Sequence, residues 1–325
     1  MAKVKTFKTI FPAVSVPLND DYSINEPEFR AYLRWIKTFY GKGMDGLVCN
    51  GHTGEITGLT RAERKRVVEI CAEECGDVMT IISGVNCENT AESIEMAKEA
   101  KEAGADGILL MPPHMWLRFG MNPNAPFEYV KDVAEGADID IIIHLYPATS
   151  KAFYPVETLI KMCKEIDHVK CIKMGTRVTS IYEHDVRLLR QECPDISLIT
   201  CHDETLCVSW FPGMDGALSG FAGCVPEIIC PAREVFANPD KHTLKEAQDW
   251  SDRIYPLSQA IYGGGQPSGE AHARLKEALK QRGIFKSALM RKPVLPLNQE
   301  EKDWVALGLE RSKLPEVDMT QFEDK

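Results

Sequence analysis

Residues 78–111 read VMTIISGVNCENTAESIEMAKEAKEAGADGILLM and contain one complete strand–helix–strand unit. Two short apolar runs, Val78 to Val85 and Gly107 to Met111, have the length and composition typical of parallel strands that are buried on both faces. Between them, Thr90 to Ala103 has a helical pattern, and it follows an asparagine and carries an acid in its first turn. The sequence therefore predicts two parallel strands joined by a crossover helix.

The same unit repeats along the chain. Six further apolar runs are Ile10–Val16, Gly46–Asn50, Ile139–Tyr146, Val169–Met174, Ile196–Cys201 and Gly216–Gly220. Helical patterns such as Glu26–Tyr40 and Thr60–Cys75 lie between these runs. Eight alternations of strand and helix favour an α/β fold of the closed (β/α)8, or TIM, barrel type. A doubly wound open sheet is the second alternative, but no Gly-x-Gly-x-x-Gly motif follows the first strand.

The chain changes character after Gly220. Four helical patterns follow one another without an apolar strand between them: Pro226–Phe236, Leu244–Tyr262, Glu270–Gln281 and Glu300–Leu309. We interpret Gly263 to Pro267 as a linker rather than a phosphate-binding loop, because it follows a helix and not a strand. We expect a barrel over residues 1–238 and a C-terminal helical extension, packed on the barrel, over residues 239–325.

Composition limits the function classes. With 325 residues, 44% of them hydrophobic, the chain can bury a large core. A formal net charge of −10 argues against a nucleic-acid partner, since an acidic surface repels phosphate backbones. No apolar stretch approaches the roughly 18 residues that span a bilayer, so we expect no membrane partner. The 11 cysteines include no Cys-x-x-Cys and no secretory leader precedes them, which predicts reduced thiols in the cytoplasm.

A lysine ends the sixth apolar run. Barrel enzymes place their active sites at the C-terminal ends of the strands, so polar residues at these ends are candidates. Alternation along the strand puts Lys173 on one face with Val169 and Cys171. If that face lines the barrel, desolvation lowers the pKa of the ammonium and leaves an amine that can attack a carbonyl. The alternative is a solvent-exposed lysine at a strand end.

Two other strand ends carry candidate groups. The fifth run ends in Tyr146, held by Pro147, and a phenol at a barrel mouth can relay protons. An aromatic cap on the core is the alternative. His144, two residues earlier, is interpreted as a satisfied interior histidine. The second run continues into Gly51-His52-Thr53-Gly54-Glu55, where two glycines allow a tight turn whose N–H groups suit a carboxylate.

The glycine loop, the Leu145-Tyr146-Pro147 strand end and the Cys171-Ile172-Lys173 strand end together resemble the dihydrodipicolinate synthase/N-acetylneuraminate lyase family, over roughly residues 8–300. The resemblance implies a homotetramer or homodimer of barrels that needs no metal or other cofactor. It implies that Lys173 forms a Schiff base with pyruvate or another 2-oxo acid and that Tyr146 shuttles protons. Thr53 and Gly54 would then hold the substrate carboxylate, and an aldehyde would be the second substrate.

The chain departs from the synthases of that family at three places. His52 stands where synthases carry the serine or threonine of a proton relay, and Pro113-His114-Met115-Trp116 lacks the second relay tyrosine. Lys151 replaces the arginine that binds the aldehyde's carboxylate, without that residue's bidentate fork. These departures argue against lysine-pathway synthase activity. We hypothesise that His52, with His114, supplies acid–base catalysis because imidazole titrates near neutrality. The alternative is that His52 is a shape-filling substrate contact.

Further substrate contacts are predicted at the seventh and eighth strands. The Asp203-Glu204 pair is similar to the acidic pair with which neuraminate lyases hold sugar hydroxyls; capping of the following helix is the alternative. Ser219, at the end of the eighth run, is another substrate-binding candidate. Met115-Trp116 and the long C-terminal extension are more similar to aromatic hydratase-aldolases.

The sequence thus favours a lyase that makes or breaks a C–C bond next to a pyruvate-like 2-oxo acid through a Schiff base. The alternatives are a 2-keto-3-deoxy sugar acid dehydratase, an aromatic hydratase-aldolase and a dihydrodipicolinate synthase-like enzyme. A non-catalytic 2-oxo acid sensor is the least favoured, because a sensor would not need Lys173, Tyr146 and the glycine loop together.

Overall fold

The computed structural model of the chain describes residues 3–263 and 268–324. Its strands are β1 (Ile10–Pro12), β2 (Gly46–Cys49), β3 (Thr80–Val85), β4 (Gly107–Leu110), β5 (Asp140–Leu145), β6 (Val169–Met174), β7 (Ser197–Thr200) and β8 (Gly216–Ser219). Its helices are α1 (Glu26–Lys37), α2 (Arg61–Cys75), α3 (Thr90–Glu102), α4 (His114–Phe119), α5 (Ala125–Ala137), α6 (Val156–Glu165), α7 (Thr179–Glu192), α8 (Leu206–Trp210), α9 (Pro226–Ala237), α10 (Leu244–Tyr262), α11 (Gly269–Gln281) and α12 (Gln299–Arg311). The predicted linker, apart from Gly263, lies outside the described residues.

The strands form one parallel barrel. Each strand pairs with its sequence neighbour from β2 to β8, and β8 pairs with β1. The backbone N–H of Val14 donates to the carbonyl of Val48 at 2.9 Å, which joins the β1 and β2 segments and closes the ring. All eight predicted strands are confirmed, although several are shorter at one or both ends. The closed barrel is therefore confirmed over the open sheet.

The core has two parts, divided by the strand wall. The barrel interior is filled by the side chains of Phe11, Ala13, Val48, Ile82, Leu109, Met111, Ile142, Cys171, Ile199 and Leu218. A larger cluster joins the outer faces of the strands to the helices. Cys171 lies in the interior, but Val169 belongs to the larger cluster. The predicted alternation breaks here because the β5–β6 register shifts between Ile141 and Ile142.

Side-chain caps fix the starts of two crossover helices. The Thr60 hydroxyl accepts from the N–H of Glu63, whose carboxylate accepts from the N–H of Thr60 in return. At α3, the Asn89 side chain accepts from the N–H of Glu92. Each such cap stabilises a helix by about 1 kcal/mol. Both predicted helix starts are confirmed, and both helices follow strands whose ends face the same side of the barrel.

Only helices and irregular segments follow Ser219 in the part of the chain that the structure describes. Helix α10 packs against α9 and α12, and α11 packs against α10 and α12. A division of the chain at residue 238 stays a prediction. Among the described helices, none has the length and apolar content to cross a membrane.

Candidate active site

A cavity of about 440 Å³ opens at the C-terminal ends of the strands, where barrel enzymes carry their active sites. Strand ends and the C-terminal helices both contribute to it. Its polar lining consists of His52, Thr53, His114, His144, Tyr146, Lys173, Arg177, Cys201, Asp203, Tyr262, Ser268 and His272. Three predicted strand ends, those of β2, β5 and β6, therefore meet in one place.

Lys173 carries a partly buried amine that has no partner among the described residues. Burial lowers the pKa of its ammonium group, as predicted from its position. Among the described residues no hydrogen bond or ion pair reaches its Nζ. Lys276, which is buried, differs: its Nζ donates to a Glu55 carboxylate oxygen and to the carbonyl of Leu289. The exposed-lysine alternative for Lys173 is wrong, since the side chain is partly buried and lines the cavity.

The phenol of Tyr146 faces the imidazole of His52. The Tyr146 oxygen lies 3.3 Å from Nε2 of His52. Burial raises the pKa of Tyr146. Burial, with the nearby Lys173 charge, lowers the pKa of His52 to about 3. Both groups are therefore neutral at neutral pH, and the imidazole tautomer decides which of them donates the hydrogen bond. The expectation that His52 titrates near neutrality is wrong, because desolvation and the neighbouring charges both disfavour the imidazolium form.

The two other histidines at this wall differ in their surroundings. His114 lines the rim of the cavity, with one ring nitrogen 3.3 Å from Glu88 and the other 3.4 Å from the Asn86 amide. His144 is buried, and its ring packs edge-on against Tyr146 at 4.8 Å. Its Nδ1 has no hydrogen-bond partner among the described residues. The predicted interior position of His144 is confirmed, but the predicted hydrogen-bond satisfaction is not found at Nδ1.

The glycine loop turns at its non-glycine residues. Asn50 and Glu55 have positive φ angles of 52° and 56°, whereas neither glycine does. Gly54 is needed for a different reason: a Cβ there would lie 3.0 Å from the carbonyl oxygen of Val14. Thr53 lines the cavity, but Gly54 is not among the described residues of the lining. The close packing of the loop on β1 holds Thr53 at the mouth.

The acidic pair after β7 divides between two cavities. Asp203 lines the active-site cavity and accepts from the Tyr262 hydroxyl at 2.6 Å. Glu204 accepts from Nε of Arg177 at 2.5 Å and lines a neighbouring cavity. Neither carboxylate caps the helix that follows, so the capping alternative is wrong. Burial raises the pKa of both carboxyl groups.

Like Gly54 and Glu204, the predicted substrate contacts Lys151 and Ser219 lie outside the described lining of the active-site cavity. Nζ of Lys151 donates to the carbonyl of Arg118 at 3.1 Å. The Ser219 hydroxyl is fully buried and accepts from the N–H of Ala222 at 2.9 Å. The described residues also bring together no group of three or more His, Cys, Asp or Glu side chains that could hold a metal ion.

Sequence reasoning missed Arg177, Tyr262 and His272. Arg177 lies four residues after Lys173 in the same strand-end loop, so a search of the whole loop for polar residues would have found it. Tyr262 and His272 come from α10 and α11. Their helical patterns mark buried faces but not the surface on which those faces pack, so the sequence held no signal for them.

The closed barrel and its polar cavity at the strand ends define a (β/α)8-barrel enzyme of the lyase class. Residues 6–311 match the Dihydrodipicolinate synthetase family. The chain therefore belongs to the dihydrodipicolinate synthetase family.

Individual relatives are distant but cover most of the chain. The 4-hydroxy-tetrahydrodipicolinate synthase of Bartonella bacilliformis is 26% identical over 309 residues, which are 94% of this chain and 98% of that protein. The synthase of Agrobacterium fabrum is 29% identical over 262 residues, 79% of this chain and 83% of that protein. Among solved structures, YagE, a prophage protein of this family from E. coli K12 in complex with pyruvate, superposes with a TM-score of 0.85 at 21% identity, covering 95% of this chain and 100% of that one.

Proposed function

We propose that the protein is a Schiff-base aldolase or lyase in which Lys173 is the nucleophile and a pyruvate-like 2-oxo acid is the first substrate. The observation that carries the proposal is the amine of Lys173: it lines a polar cavity, its pKa is lowered by desolvation, and it has no partner among the described residues. A lysine held for packing or charge balance would be paired, as Lys276 is with Glu55.

The neighbouring groups supply the rest of the chemistry. The neutral amine of Lys173 attacks C2 of the 2-oxo acid, and a proton moves to the former carbonyl oxygen to give a carbinolamine. That oxygen leaves as water with a proton from Tyr146, and a protonated imine remains. The phenolate of Tyr146 takes a proton from C3 to give an enamine. C3 then bonds to the aldehyde carbon while Tyr146 returns that proton to the aldehyde oxygen. Water then hydrolyses the imine, and the reverse sequence cleaves the same bond.

His52 supports the proton transfer at Tyr146. Nε2 of His52 lies 3.3 Å from the phenol oxygen, so a hydrogen bond between the two holds the phenol in position, and the imidazole can stabilise the phenolate once Tyr146 has given up its proton. We propose that Thr53, which lines the cavity, binds the 2-oxo acid carboxylate. The 2-oxo acid is supported by the related YagE structure, which is described as a pyruvate complex.

The second substrate differs from that of the synthases. The loop after β4 gives the described lining His114 and Leu117 and no tyrosine, and Lys151 lies outside it. We therefore propose an aldehyde other than the synthase's. Product analysis separates aldol chemistry, which yields pyruvate and an aldehyde on cleavage, from dehydration, which yields a dehydrated oxo acid.

Borohydride trapping tests the central claim. The protein is incubated with pyruvate, reduced, digested and mapped by mass spectrometry. We expect an adduct on Lys173 that is lost in Lys173→Arg and kept in Lys170→Arg, since Lys170 is an exposed lysine of the same strand. An unmodified Lys173 in the folded wild-type protein would overturn the proposal.

The oligomeric state stays a prediction. One solved structure that superposes with a TM-score of 0.83 at 20% identity is described as a monomeric dihydrodipicolinate synthase variant. We propose a homotetramer or homodimer for this chain, which light scattering tests directly.

A further inference from the structure

Arg177 lies in the wall between two cavities. It lines the active-site cavity, and among the described residues it is the one that also lines a neighbouring cavity of about 590 Å³. Lys173 and Arg177 are the basic lysine and arginine side chains of the described active-site lining. Because Lys173 is consumed by the proposed imine, Arg177 is the remaining permanent cation there.

The hydrogen bonds of Arg177 leave part of its guanidinium uncommitted. Nε donates to Glu204 at 2.5 Å, Nη1 to the carbonyl of Gly175 at 3.0 Å, and Nη2 to the carbonyl of Cys201 at 3.4 Å. A guanidinium has five N–H groups, so each terminal nitrogen keeps one more N–H. Gly175, Cys201 and Glu204 thus fix the plane of the group while its terminal edge stays available to a planar anion.

Arg177 also lies apart from the loop proposed to hold the 2-oxo acid carboxylate. Thr53 packs beside Gly220, at the end of β8, where an added Cβ would meet its hydroxyl at 2.7 Å. Arg177 is bonded instead to the loops that end β6 and β7. A 2-oxo acid anchored at Thr53 and bonded to Lys173 therefore leaves Arg177 for a group on the other substrate.

We propose that Arg177 is a specificity-determining residue that binds a carboxylate on the second substrate, so that the enzyme prefers acidic aldehydes. The proposal rests on the proposed Schiff-base function. It assigns the anion site to the loop after β6 and not to Lys151, which the sequence predicted as a substrate contact. The Lys151 ammonium instead donates a hydrogen bond to the carbonyl of Arg118. Glu204 acts as the positioning residue, because it holds the Nε edge of the guanidinium.

The test compares aldehydes that differ only in charge. Glyoxylate and 4-oxobutanoate are each paired with their methyl ester as acceptors for pyruvate, using wild type, Arg177→Met and Arg177→Lys. We expect wild type to favour at least one acid over its ester. Arg177→Met should lower kcat/KM for that acid by about 10- to 100-fold, mainly through a higher KM. The kcat/KM for the ester should change by less than about threefold. Arg177→Lys should recover part of the loss.

Two results would overturn the proposal: an equal loss for acid and ester in the variants, or no preference for either acid in wild type. Turnover of the ester reports that a variant is folded; if Arg177→Met does not fold, Arg177→Lys alone decides, since it must still lose more with the acid. Borohydride trapping of pyruvate in the same samples separates the two proposals. If pyruvate forms an adduct on Lys173 but wild type shows no preference for acids, only the proposed role of Arg177 is wrong. If no adduct forms in wild type, the proposed function is wrong.

Discussion

The hydroxyl oxygen of Tyr146 and Nε2 of His52 lie 3.3 Å apart, so the ends of β5 and β2 meet in the cavity that Lys173 lines. These two strands are not neighbours in the barrel; β3 and β4 lie between them. The contact therefore depends on barrel closure, and it places a neutral proton donor and a neutral acceptor beside the reactive amine.

Removal of the phenol should slow turnover without preventing imine formation. Tyr146→Phe keeps the ring packed against His144 but removes the proton donor. We expect kcat to fall by about 10²- to 10⁴-fold, the usual contribution of a positioned acid or base. Steady-state kinetics measure the fall, and the borohydride adduct on Lys173 is the control. A kcat within threefold of wild type would rule out a proton shuttle at Tyr146.

Two His52 variants separate an acceptor from a shape-filling contact. His52→Gln keeps a hydrogen-bond acceptor near the phenol, whereas His52→Leu keeps similar bulk without one. We expect kcat to fall about 10-fold in the first and about 100-fold or more in the second. Because burial lowers the pKa of His52 to about 3, its titration should not shape the kcat profile between pH 6 and 9. Equal losses in both variants would favour the shape-filling alternative.

The ion pair between Glu55 and Lys276 ties the glycine loop to α11. Both side chains are buried, and the second Glu55 oxygen accepts from the N–H of Arg291 at 3.0 Å. Lys276→Met leaves the carboxylate buried without its counter-charge, which should cost about 3–5 kcal/mol in the free energy of unfolding. The double variant Glu55→Gln/Lys276→Met should lose less, because no unpaired charge is left.

Urea unfolding measures both effects. Lys98→Met is the control: Lys98 forms an exposed pair with Glu95, and its loss should change stability by no more than about 0.5 kcal/mol. If Lys276→Met were no more destabilising than Lys98→Met, the pair would not anchor the extension to the loop.

The barrel and its central residues follow from local sequence patterns, whereas the rest of the site does not. Eight buried strands can be recognised because parallel strands are continuous apolar runs, and their ends must meet at one mouth once the barrel closes. Lys173 and Tyr146 are found this way. Tyr262 and His272 reach the cavity through helix packing, which has no local signature. The low pKa of His52 arises from burial in the folded chain, which a local sequence pattern does not reveal, so the sequence predicted an imidazole with the wrong titration range.

Buried histidines should make the fold sensitive to acid. Burial lowers the pKa of His202 to about 3 from an ordinary 6.5, and that of His52 likewise. Between about pH 6.5 and pH 3 these rings are therefore protonated in the unfolded chain but not in the folded protein. The free energy of unfolding consequently falls as the pH drops through this range. Above pH 7 these groups add no slope.

His202→Gln isolates one of these protons. His202 is buried against the ring of Tyr182, and its Nε2 has no partner among the described residues. Each proton contributes about 1.4 kcal/mol per pH unit, so between pH 5.5 and 4 the variant's stability should fall less steeply than that of wild type by about this amount. Urea midpoints at several pH values measure the slope. An unaltered slope in His202→Gln would mean that this ring already carries its proton in the folded protein.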